Sequence, residues 1–176
     1  MSTSSELNDV DLLIWPESPL PYLNSSPQMN SFLKRTDNLP TIISGGWDYQ
    51  DSALKNVMSI LGTDQSYSKR HLVMFGEYIP FENILRGLIE FFNMPMSSLE
   101  PGKANQPLFE HEGHQILGLI CFEVAFPLSF LQEARSANFI VNISNDTWFG
   151  SSYGPYQHLQ LVRARALEYN RWIARG

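Results

Sequence analysis

A chain of 176 residues with 43% hydrophobic and 12% aromatic side chains is long enough for one domain with a sizeable core, and too apolar for a disordered segment. Its formal charge of −6, with only 12 basic residues thinly spread, excludes a nucleic-acid footprint. Its single cysteine, Cys121, excludes an internal disulfide, and no apolar run reaches the roughly 18 residues of a membrane-spanning helix.

The polar start "MSTSSELND" reads as a flexible tail over residues 1–9, without the basic and apolar regions of a signal peptide. "DVDLLIW" (9–15) reads as a short buried strand bounded by Pro16. "SPQMNSFLKR" (26–35) carries Ser then Pro at its start, the cap and first position of a short helix. "PTIISGGW" reads as a strand broken by Gly45 and Gly46. The runs "LKNVMSIL" and "YSKRHLVMF" flank the turn-rich "GTDQS" and predict a hairpin. "FENILRGLIEFF" (81–92) places Ile84, Leu85, Leu88, Ile89 and Phe92 at helical spacing. A loop follows, and "LFEHEGHQILGLICF" then predicts two strands around Glu112–Gly113. "PLSFLQEARSA" predicts a helix opened by Pro127, and "NFIVNIS" a β-branched buried strand. "QHLQLVRARALEYNRWIAR" predicts a long final helix with Leu159, Val162, Ala166, Tyr169 and Ile173 on one face. The basic residues Arg163, Arg165, Arg171 and Arg175 read as its solvated or salt-bridged face, with His158 and Arg163 supporting the fold. Alternating strands and helices with interspersed hairpins give an α/β fold with a mixed sheet.

Three strand ends carry groups that can do chemistry. Cys121 closes "HQILGLICFE", where a strand end can present a nucleophile to a cleft beside the Phe122 N–H. The same residue also fits the commonest state of a free cysteine, a small buried hydrophobe. A thiol nucleophile needs a base, and Glu17, Glu77 and Glu123 are the candidates by chain position. Glu17 sits in the Pro-rich turn "WPESPLP", and Lys69 lies at the start of the strand after residues 62–66. Spacing alone does not bring them together. His and Cys never cluster with ligand spacing and no Gly-rich phosphate loop follows a strand, so neither a metal nor another cofactor is expected.

Four blocks in order, "WPES", "YSKRHLVMFGEYIPFE", "ICFE" and "NISNDTWFGSSYGPYQHLQLVRARALE", closely resemble the periplasmic carbon–nitrogen-hydrolase (nitrilase-superfamily) domain of bacterial apolipoprotein N-acyltransferases. The likeness runs from about residue 10 to the end. It implies a nitrilase-like α-β-β-α sandwich with a mixed β-sheet over residues 10–176, a partial domain incomplete at both termini, in need of membrane helices before it. It also implies a triad: Glu17 of "WPE" as general base, Lys69 of "YSK", and Cys121 as nucleophile. Glu77 and Glu123 match two supporting carboxylates, and the Phe122 N–H joins Lys69 in holding the oxyanion. In "SNDTWFG", Asn145 and Trp148 are expected either to shape the pocket or to form a turn that merely ends the strand. The implied partners are a phospholipid acyl donor and an apolipoprotein acceptor at the periplasmic face of the inner membrane, and no nucleic acid. "ILRGLIEFFNMPM" reads either as an apolar arm near the lipid entrance or as a core-facing helix. Arg70 and His71 receive no role beyond a hydrogen-bonded structural histidine. Met74 stands where the family typically has proline, Phe122 where it has tyrosine, and the stretch between Glu17 and Lys69 looks shorter than usual. A soluble amidase giving the same thioester to water and a catalytically dead fragment are the competing readings.

Overall fold

The computed structural model describes residues 10–35, 39–73, 77 and 99–176. The expected tail, the helix at 81–92, the apolar arm and Met74 lie outside the described residues.

Among the described residues, two four-stranded sheets carry the fold. The first is ordered β1 (Leu12–Ile14), β2 (Thr41–Gln50), β3 (Ala53–Ile60), β4 (Ser66–Ser68), with β1 parallel to β2 and the remaining pairs antiparallel. The second is β5 (Phe109–His111), β6 (His114–Ile120), β7 (Phe139–Ile143), β8 (Ile173–Arg175), antiparallel at β5–β6 and parallel thereafter. Both sheets are mixed, as expected of an α-β-β-α sandwich. Their inner faces share one core in which Ile43, Met58 and Ile60 of the first sheet meet Phe109, Ile116 and Leu119 of the second. A Cβ at Gly118 would lie 2.9 Å from the Met58 sulfur, so this glycine lets the sheets approach closely.

Helix α1 (Pro27–Leu33) begins as its sequence predicts: the Ser26 hydroxyl accepts from the Met29 N–H at 3.2 Å, with Pro27 in the first turn. Met29 is buried, and Phe32 pairs with the Trp15 ring beside β1. The segment opened by Pro127 starts as a 3₁₀ turn and becomes helix α2 (Leu131–Ser136). Helix α3 (Gly154–Tyr169) follows β7; its Val162 and Tyr169 join Phe130 and Ala134 in the core. Strand β6 is consequently buried for most of its length, which explains its continuous apolar run rather than an alternating one.

Four expectations need correction. The predicted long final helix stops at Tyr169, because Asn170 adopts a left-handed φ of 51° that caps the helix. Ile173 then forms a strand with Ile140 instead of extending the helical face. Among the four arginines, Arg171 donates to the Ala137 and Arg135 carbonyls and Arg175 pairs with Asp146, so they do not form one solvated helix face. The run after "GTDQS" forms only a three-residue strand, while an unforeseen tight turn at Asp51–Ser52 (φ 54° and 66°) joins β2 to β3.

The fourth concerns Gly45 and Gly46, which do not break β2. They let other chain segments lie against it: a Cβ at Gly45 would come within 2.3 Å of the Glu17 carbonyl oxygen, and one at Gly46 within 2.5 Å of the Asn24 side chain. Gly45→Ala is expected to cost about 1–3 kcal/mol by forcing the Glu17 turn off β2, measured as a lower denaturation midpoint. A variant as stable as the parent would show that this turn yields without strain.

Candidate active site

Glu17, Lys69 and Cys121 follow β1, β4 and β6 respectively, and the fold brings these strand ends together. Glu17 is buried, its turn pinned by a Gly45 N–H to Pro16 carbonyl bond of 3.2 Å. One carboxylate oxygen, Oε2, accepts from the Asn145 backbone N–H at 3.0 Å. The other, Oε1, accepts from Asn56 Nδ2 at 2.8 Å and from Lys69 Nζ at 3.3 Å.

Lys69 is fully buried and reaches Glu77 Oε1 at 2.8 Å, so one ammonium lies between two carboxylates. Asn56 completes the square: its two amide hydrogens serve Glu17 and Glu77, the latter at 2.9 Å. Burial opposes the lysine charge, but the fields of Glu17, Glu77 and Cys121 outweigh it and hold the Lys69 pKa above its ordinary value. Lys69 is a permanent cation here. Glu77 also accepts from the Val73 N–H at 2.8 Å, tying the segment after Lys69 to the same carboxylate.

Cys121 has a left-handed φ of 52°, a conformation that costs a non-glycine residue about 1 kcal/mol or more and persists only where its surroundings enforce it. In the same turn, Glu123 is completely buried. Its carboxylate accepts from the backbone N–H groups of Ile120, Arg70 and His71 at 2.9, 2.7 and 3.1 Å, and from the Tyr67 hydroxyl at 2.8 Å. Burial pushes the Glu123 carboxyl up, against the pull of these donors. The carboxylate thus joins the turn carrying Cys121 to the segment carrying Lys69.

Burial, then the Glu17 charge, push the Cys121 thiol up to about 11, against the opposing influence of Lys69, the Ser144 hydroxyl and the Phe122 N–H. Cys121 rests as a neutral thiol. Relative to an ordinary thiol near 9, a rise to about 11 lowers the thiolate fraction near neutrality about a hundredfold. Alkylation of Cys121 by iodoacetamide is therefore expected to be slow at pH 7 and still climbing at pH 10. A plateau below pH 9 would contradict a thiol held protonated by burial and Glu17.

The supporting residues divide. Phe122 contributes through its N–H, which points at the Cys121 sulfur, while its half-exposed ring meets Phe126 edge-on at 6.4 Å. Asn145 contributes its backbone N–H to Glu17, whereas its side chain caps its own turn by accepting from Thr147. Trp148 is 73% exposed and is not drawn into this cluster. Sequence reasoning missed Asn56, whose only signal was an amide in the apolar run "LKNVMSIL". Arg70 gains a role: it lies 4.1 Å over the Phe130 ring and pairs with Glu133 at 2.9 Å. His71 stacks on Phe126 at 4.2 Å, its pKa lowered by burial and by Arg70. His158, expected only to support the fold, lies directly behind Cys121, whose carbonyl faces its Nε2 at 3.0 Å. Arg163 is exposed.

The family model for carbon–nitrogen hydrolases matches residues 2–175. The chain belongs to the carbon–nitrogen hydrolase family. Members with solved structures share the fold of this carbon–nitrogen hydrolase chain at low identity. A superfamily protein from Xanthomonas campestris, solved with an arsenic adduct in its active site, superposes with a TM-score of 0.67 at 19% identity, covering 98% of this chain and 65% of that one. An amidase from Nesterenkonia sp. AN1, modified by acrylamide at its active-site cysteine, gives 0.57 at 18% identity, covering 94% and 64%. Closer in sequence are the apolipoprotein N-acyltransferases of Pseudomonas putida, 42% identical over 175 residues, and Photobacterium profundum, 35% identical over 185. The chain spans about a third of the length of these curated relatives, 35% in each case.

Proposed function

We propose that residues 10–176 are part of the catalytic domain of an apolipoprotein N-acyltransferase, which moves a fatty acyl chain from phospholipid to the α-amino group of an N-terminal diacylglyceryl-cysteine. The observation that carries the chemistry is the meeting of buried Glu17 and Lys69 with a half-buried Cys121; the names of the relatives select the substrates. Glu17 takes the thiol proton as Cys121 attacks the phospholipid ester carbonyl. The resulting oxyanion is held by the Lys69 ammonium and the Phe122 N–H, donors worth roughly 3–4 kcal/mol each in comparable sites. Collapse expels the lysophospholipid and leaves an acyl thioester on Cys121. The substrate amine attacks this thioester, Glu17 accepts its proton, and the amide is released.

Glu77 holds Lys69 in place, Glu123 holds the turn of the nucleophile, and Asn145 orients Glu17. No cofactor enters any step. Among the described residues no helix is long and apolar enough to cross a membrane. Membrane attachment at the periplasmic face of the inner membrane therefore falls, in this reading, to segments other than those described.

The test is mass spectrometry of the chain incubated with phospholipid vesicles, then with a diacylglyceryl-cysteine peptide. A hydroxylamine-labile acyl group on Cys121, discharged onto the peptide amine, is the expected result. Discharge to water alone, at a rate the peptide does not change, would replace the transferase reading with a hydrolase.

A further inference from the structure

Against the Cys121 carbonyl lies a polar cluster to which the triad chemistry assigns no part. His158 is 1% exposed, on the first turns of α3, and its Nε2 lies 3.0 Å from the Cys121 carbonyl oxygen. A carbonyl only accepts, so Nε2 carries the hydrogen. Asn142 Nδ2 donates to the same oxygen at 3.3 Å. The other ring nitrogen, Nδ1, faces Asp146 Oδ1 at 2.9 Å, Arg175 Nη2 at 3.2 Å and the Ser144 hydroxyl at 3.4 Å. Arg175 in turn pairs with Asp146, so the ring is held by partners from three chain segments.

The consequence follows from peptide geometry. The Cys121 carbonyl and the Phe122 N–H belong to one planar trans peptide unit and point in opposite directions. Fixing the carbonyl on His158 therefore fixes where the N–H points, and that N–H faces the Cys121 sulfur. Donors on a carbonyl also polarise the amide and strengthen its N–H as a donor. We infer that His158 is a positioning residue which aims the Phe122 N–H at the oxyanion by gripping the Cys121 carbonyl, with Asp146, Ser144 and Arg175 setting the ring. This rests on Cys121 being the nucleophile, as proposed above.

Two reactions of Cys121 separate aiming from general support. Acylation by a p-nitrophenyl ester passes through a tetrahedral oxyanion, whereas displacement of iodide from iodoacetamide does not. In His158→Ala, acylation should fall about 30-fold or more, approaching the loss seen when an oxyanion donor is removed, while alkylation falls less than about fivefold. His158→Gln, which keeps an N–H donor of similar reach, should recover most of the acylation rate. Equal falls in both rates, or no fall, would overturn the assignment and leave His158 as packing. Should His158→Ala not fold, Asp146→Asn gives the same comparison: a selective fall of about tenfold in acylation supports aiming, and an unchanged ratio of the two rates refutes it. A parent chain whose acylation does not exceed that of Cys121→Ala would instead remove the nucleophile reading, and this inference with it.

Discussion

Lys69→Met should lower the acylation rate of Cys121 by about a thousandfold or more, because two separate contributions disappear together. The first is direct. Lys69 is one of the two donors proposed for the oxyanion, and a single donor of this kind is worth about two to three orders of magnitude. The second acts through Glu17. Among the described residues, Lys69 and Asn56 stand between Glu17 and Glu77, at 3.3 and 2.8 Å on the lysine side. Without the cation, two carboxylates share the Asn56 amide with no ammonium between them. Glu17 then loses a partner that fixes its Oε1 and is held less well for accepting the thiol hydrogen. Removing one partner of a buried ion pair also destabilises, by about 3–5 kcal/mol in comparable cases.

Those effects can be separated. Adding Glu77→Gln to Lys69→Met deletes one of the repelling carboxylates, so the double variant should recover part of the lost stability and almost none of the rate. Lys69→Arg should fail to rescue either, since a planar guanidinium does not fit a fully buried site built around one compact ammonium. Single-turnover acylation followed by mass spectrometry, with a denaturation midpoint for each variant, reads both quantities. A Lys69→Met chain that acylates within tenfold of the parent would remove Lys69 from the chemistry.

Features set by local chemistry were legible in the sequence. The Ser26–Pro27 helix start, the turn at Glu112–Gly113 (φ 49° and 77°) and the apolar strand β7 each depend on a few adjacent residues. The three strand-end groups were legible as types, and their motif resemblance named their roles, but no spacing rule brings residues 17, 69 and 121 together. What stayed hidden depends on distant partners. Gly45 reads as a strand breaker until the Glu17 backbone is seen lying on it. Asn170 reads as one more polar position on a helix until its left-handed backbone ends that helix and frees Ile173 for β8. Asn56 and His158 are buried polar groups whose partners lie far along the chain; an amide in an apolar run was the only trace of Asn56, and His158, in the polar stretch "GPYQHLQ", carried no sign of its contact with Cys121.

Glu123→Ala should cost about 4 kcal/mol or more. Four donors lose their acceptor: the backbone N–H groups of Ile120, Arg70 and His71, and the Tyr67 hydroxyl. An unpaired buried donor costs about 1–3 kcal/mol, and the vacated volume adds a cavity cost. The Tyr67 hydroxyl offers no relief through ionisation, since burial, the largest influence on it, pushes its pKa upward and remains after the substitution. Glu123→Gln is the sharper comparison. It preserves volume but replaces one oxygen with an amine that faces donors, so at least one N–H is stranded and about 2 kcal/mol should be lost. Both changes loosen the link between the Cys121 turn and the Arg70–His71 segment, so acylation should fall even in conditions where the variants remain folded. Denaturant midpoints give the stability arm, and single-turnover acylation at low temperature gives the second. A Glu123→Ala chain within about 1 kcal/mol of the parent would mean that water satisfies those donors, and that the left-handed Cys121 is held by His158 and Asn142 instead.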